Sequence, residues 1–154
     1  MSGWKLVLVT AGLWCIGGAA HGASPATERC ARLHEIRSIP LSEGWPETDP
    51  AYLAISANRE AARACLLDRI GDATPMRDPR SEPTKVDVFA VGDLAFFLLV
   101  DFKMLPFEQL LPPEVRRQLP ERGVFAYFEW VGKPGNRGRL QRVARDWSKT
   151  HARD

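Results

Sequence analysis

Apolar side chains recur three and four positions apart along much of the chain from residue 25 onward, the spacing of one face of an α-helix. Ala26, Cys30 and Leu33 open the pattern behind Ser24-Pro25, a cap residue followed by proline at the first helical position. A first helix is therefore expected over residues 25–37, ending before Pro40. Residues 38–48 hold Pro40, Gly44 and Pro46 and read as loop. Asp49-Pro50 is a second cap-and-proline start. It predicts a short helix, a break near residues 56–58 where Asn58 can cap, and a longer helix. The apolar face of that longer helix is Ala61, Ala62, Cys65, Leu66 and Ile70, and Gly71 stops it.

Residues 71–85 carry Pro75, Pro79 and Pro83, and proline at every fourth position forbids a helix. The stretch reads as a long solvated loop. Residues 86–91 suit a short extended segment. Residues 94–100 are apolar on every side and too few for a membrane span, which needs about 20. They fit a helix buried at the centre of the domain, with Asp93 as its cap and Asp101 as its solvated end. A buried strand is the alternative that the run alone leaves open, and its Leu and Ala content favours helix. Two further helices are expected over 114–119 and 121–131, the second with Val124, Tyr127, Phe128 and Val131 on one stripe. A last helix over 137–151, capped by Asn136, has the stripe Leu140, Val143, Ala144 and Trp147. Arg137, Arg139, Arg142, Arg145 and Lys149 take its other side. Leu66, Leu98, Phe128 and Trp147 are the expected core.

These elements predict an all-α fold: a small irregular helical bundle, or HEAT-like stacked helix pairs, held by one disulfide. The second option comes from residues 49–75. There the string REAARACLLDRIGDATP resembles the second helix of a HEAT-type hairpin repeat, with Ala61, Ala64, Leu66, Leu67 and Ile70 as apolar positions and Asp72 and Pro75 in the following turn. The resemblance covers 27 residues and implies a protein-binding scaffold of stacked helix pairs.

The first 22 residues change the picture of where the protein works. Lys5 precedes an apolar run over residues 6–16, and small residues follow at 17–20, the order of a secretory signal peptide. Ala20 and Gly22 suit a cut after residue 22, and Gly18 and Ala20 a cut after residue 20. Trp14 before Cys15 argues against a lipid attachment signal. The expected organisation is a signal peptide over 1–22 and a single helical domain over 23–154, in the periplasm or secreted. Cleavage removes Cys15 and leaves Cys30 and Cys65, an even pair that in an oxidising compartment reads as one disulfide.

Charge is uneven. Residues 23–131 hold 13 basic and 17 acidic groups, while residues 132–154 hold 7 basic and 2 acidic. A basic last helix suits an acidic partner or an anionic membrane surface. The whole-chain net charge of +2 is too small to imply nucleic acid.

Catalytic signatures are missing from the sequence: no G-x-S-x-G elbow, no H-E-x-x-H and no P-loop. Two cysteines without a histidine cluster do not make a metal set, and no cofactor is expected. His34 and Glu35 are helix neighbours that do not face each other. The best reading is a periplasmic protein-binding module, in its sharpest form an immunity-type inhibitor of an envelope-acting toxin or enzyme. A cell-wall enzyme or enzyme subunit, and a factor that touches anionic surfaces, are the alternatives. The candidate contact residues are Arg77 and Arg80 in the proline-rich loop, Arg137, Arg142 and Arg145 on the last helix, and the tryptophans Trp45 and Trp130. Tryptophan and arginine are the usual energetic anchors of interfaces.

Overall fold

Asp49 sets the first corner. In the computed structural model, which describes residues 25–39, 49–80 and 89–151, its Oδ1 accepts the amides of Ala51 and Tyr52 at 2.9 and 3.3 Å. That caps α2 (Pro50–Ala57), whose proline occupies the first turn as expected. Its Oδ2 accepts the Arg37 amide at 2.8 Å, so the same carboxylate ends the preceding segment. The first helix is consequently shorter than its periodicity suggests. α1 covers Pro25–Ala31, a 3-10 turn covers Leu33–Glu35, and Ile36 is extended.

The break before α3 (Arg59–Arg69) falls at Asn58. Asn58 does not cap α3 with its side chain; its Nδ2 reaches back to the Ala54 carbonyl at 3.3 Å. α1 packs on both α2 and α3, whereas α2 and α3 touch each other far less. The HEAT-like option is thereby corrected: a repeat hairpin packs its two helices along their length, and here α1 is the partner of both. The irregular bundle is the arrangement that forms. Cys30 and Cys65 are joined, with their Cα atoms 6.2 Å apart, and the bond ties α1 to α3.

α4 (Val91–Asp101) is the helix expected from the apolar run, and every residue from Val91 to Leu99 is buried. Burial on all sides follows from the lack of any polar stripe, since a helix apolar all round is stable only inside. The described part of the segment before it is extended. Phe89 and Ala90 run antiparallel to residues 74–76, with the Met76 amide donating to the Phe89 carbonyl at 2.9 Å and the Val91 amide to that of Thr74 at 3.0 Å. Gly92 crosses the end of α3 so closely that a Cβ would lie 2.3 Å from the Ile70 carbonyl oxygen. Only glycine fits this contact.

The second half of the described chain wraps α4. A 3-10 turn (Glu108–Leu110) leads into α5 (Pro113–Arg116), α6 (Leu119–Arg122), α7 (Val124–Val131) and α8 (Asn136–Thr150). Gly123, at φ +54°, separates α6 from α7 in the left-handed region. α4 meets α7 through aromatic rings: Phe97 lies 5.3 Å from Tyr127 and 5.9 Å from Phe128, and Phe96 lies 5.6 Å from Tyr127, between ring centroids. Of the expected core set, Leu66, Leu98 and Phe128 are buried. Trp147 is half-buried and stacks on His151 near the end of α8. No described helix is long and apolar enough to cross a membrane.

Candidate functional site

α8 decides which charged groups face the core. Its buried positions are Arg137, Leu140 and Ala144, spaced by three and four. Gln141, on the same face, donates to the carbonyls of Leu67 and Asp68 at 3.1 and 2.6 Å and fixes α8 against the end of α3. Leu140 and Ala144 of the expected stripe lie on this face, but the face is centred toward Arg137 and away from Val143. Val143 is therefore 38% exposed, and Arg137 points inward.

The expectation that Arg137 belongs to an exposed binding face is corrected by its geometry. Its two terminal nitrogens donate to the two carboxylate oxygens of Asp93 at 2.8 and 3.0 Å, and Asp93 is completely buried. Asp93 also accepts the Tyr127 hydroxyl at 2.7 Å and the Ala90 amide at 2.9 Å. Asp93 is thus not the N-cap of α4 but the third residue inside it, reaching back to the Ala90 amide at the N-cap. Four donors fill the four acceptor positions of a carboxylate. The cluster joins α4, α7 and α8 and leaves Asp93 no lone pair for proton abstraction.

Burial pushes the Tyr127 phenol well above its ordinary range. The charge of Asp93 and the hydrogen bond to it push the same way, against the weaker opposing effect of Arg137 and Arg80. A group with a raised folded pKa stabilises fully below its unfolded pKa and loses that contribution as pH rises. Stability should therefore fall as pH climbs past about 10, where the unfolded tyrosine ionises and the folded one does not. An alkaline titration followed by tyrosinate absorbance and circular dichroism should show Tyr127 ionising only with unfolding. Tyr127→Phe should remove that coupled phase.

Arg80 is also committed inside the fold, correcting its expected place on an exposed surface. Its guanidinium is forked by Asp78, with Nε and a terminal nitrogen 2.9 and 2.7 Å from the two oxygens. It lies 4.4 Å from the Phe97 ring centroid, 5.2 Å from Phe89 and 5.9 Å from Phe128. A cation over several ring faces in a shielded site is attracted by each quadrupole. The pair pins the proline-rich segment to the aromatic core. Arg80→Ala should cost about 1.5–3 kcal/mol in urea unfolding, through the lost charged hydrogen bonds and ring contacts. Arg80→Lys should recover little of it, because an ammonium cannot fork onto a carboxylate.

Trp130 is likewise inside, 7% exposed, although it lies off the apolar stripe expected for its helix. The reason is that α7 is covered on several sides, by the α4 rings and by α5, α6 and α8, so positions off its predicted stripe are buried too. Trp45 and residues 81–85 of the proline-rich loop lie outside the described residues. His34 is exposed beside Glu35, which Arg32 holds at 2.7 Å.

What remains outward is smaller than the sequence suggested. Arg77 and Arg142 are exposed, and Arg145 donates to Asp68 at 2.6 Å across α8 and α3. Arg139, on the polar side of the same helix but not among the expected contact residues, is also exposed. Neither Arg139 nor Arg142 has an acidic partner among the described residues. Arg139 borders a groove of about 180 Å³ between residues 109–112 and α8. Leu111, Trp130 and Leu140 line its buried part, and Val143 and Gln109 line it where it meets solvent. Among the described residues no group of three or more His, Cys, Asp or Glu side chains could hold a metal ion. No protein-family model, curated protein or solved structure matches the chain.

Proposed function

We propose that this protein is an exported, periplasmic protein-binding module that acts as an inhibitor of a toxin or enzyme working in the cell envelope. The observation that carries the reading is the division of arginines on α8. Arg137 is neutralised inside the fold, while Arg139 and Arg142 face outward with no acidic partner among the described residues. Unpaired arginines on a rigid helix are suited to forking onto a partner's carboxylates. The Cys30–Cys65 bond supports an oxidising compartment, where such bonds persist. The signal-like pattern over residues 1–22 points the same way.

The test is capture from periplasmic extract by the purified exported form, with its intact mass measured first. Loss of residues 1–20 or 1–22 and a stoichiometric protein partner, released as salt rises, is the expected result. A retained Met1 would overturn the export reading. Binding to anionic vesicles in place of any protein would replace the inhibitor reading with a surface-binding one.

A further inference from the structure

We propose that the groove between residues 109–112 and α8 is the anchor pocket for an acidic segment of a partner protein. One apolar side chain of leucine size enters it, and a neighbouring carboxylate of the same segment forks onto Arg139. This rests on the reading of the protein as a binding module and names where that module binds.

Three observations converge. The groove holds about 180 Å³; Leu111, Trp130 and Leu140 wall it, and Gln109 and Arg139 add polar groups to its lining. An enclosed apolar cavity of about 150 Å³ accepts benzene, so a groove of this size has room for one leucine side chain. Trp130 is 93% withdrawn from solvent, yet its indole N–H meets no acceptor among the described residues. Buried indole N–H groups ordinarily find a partner. Among the described residues the side-chain atoms sealed from solvent without a partner are Arg63 Nε and Arg69 Nε, so the Trp130 N–H is not among the fully sealed groups. Finally, Val143 and Arg139, four residues apart on α8, present an uncovered apolar group beside an unpaired cation. Residues 132–154 carry five more basic than acidic groups, which selects an acidic segment over a basic one.

The probe is the peptide Ac-Asp-Asp-Leu-Asp-Asp-NH2, titrated into purified protein while the indole N–H resonances are followed by NMR. Trp130→Phe assigns the resonance. The Trp130 signal should shift saturably. Replacing the peptide's leucine by alanine, and the protein substitution Arg139→Ala, should each weaken binding by about tenfold, as for a modest hot spot. Val143→Glu should block the groove to a similar degree while leaving the melting temperature unchanged, because Val143 is exposed. A Trp130 signal unmoved at millimolar peptide, or moved equally by the lysine analogue, overturns the proposal. If Val143→Glu still captures the parent's partner as the parent does, the groove assignment falls and the binding-module reading stands. If the peptide binds as described while the parent captures no protein, the groove stands and the wider reading falls.

Discussion

Replacing Arg137 by alanine should cost about 3–5 kcal/mol of folding stability, the usual penalty for stripping one partner from a buried ion pair. The Asp93 carboxylate is left with no solvent access and only the Tyr127 hydroxyl and Ala90 amide as donors. Most of that cost is the penalty of an uncompensated charge, not the worth of the pair. The double variant Asp93→Leu/Arg137→Met should therefore lose less than the sum of its single changes, a non-additivity readable in a double-mutant cycle. Arg142→Ala, on the same helix but facing solvent, should stay within about 0.5 kcal/mol of the parent. Urea unfolding followed by tryptophan fluorescence makes the comparison. Equal stability of Arg137→Ala and Arg142→Ala would contradict the buried cluster.

The second large effect belongs to the disulfide. It closes 35 residues of sequence separation and ties α1 to α3. The chain-entropy model puts that closure at roughly 3–4 kcal/mol, and removal of a native bridge from a small secreted domain typically costs about 2–5 kcal/mol. Cys30→Ser/Cys65→Ser should lower stability within that range. Cys30 sits with Leu33 in the core, so the loss should be felt first in the packing of α1. The parent protein should resist thiol reagents until reductant is added. Two freely reactive thiols in the folded parent would defeat both statements.

Local signals made the helical framework legible. Asp49-Pro50 gave a helix start because the cap and the proline act within one turn. The apolar run over 94–100 gave a buried helix because its composition left no face for water. Cys30 and Cys65 are the even pair left once residues 1–22 are set aside, and both lie on apolar helix faces, so one disulfide tying α1 to α3 is the expectation the structure bears out. The polar interior was not legible. Asp93 and Arg137 are 44 residues apart, and a charged residue in a helical pattern reads as outward whichever way it turns. Only the inward spacing of Arg137, Leu140 and Ala144 could have signalled the rotation of α8, and the competing stripe through Val143 was more apolar. Arg80 was misplaced for a related reason. Its partners Phe89, Phe97 and Phe128 come from three separate segments, and no local spacing brings them to the proline-rich loop. Trp130 lies off the one apolar stripe that the sequence of α7 shows, and its burial comes from a fold that covers α7 on several sides.

Inward arginines hold the fold, and the outward Arg139 and Arg142 are the proposed contacts of a partner. The measurement that tests this division most directly is partner capture by Arg139→Glu/Arg142→Glu, run beside the parent with melting temperatures recorded. The melting temperature should be unchanged and capture weakened by more than about tenfold, since reversed charges meet the partner's carboxylates. Parent-like capture by this variant would contradict the division and place the binding surface off α8.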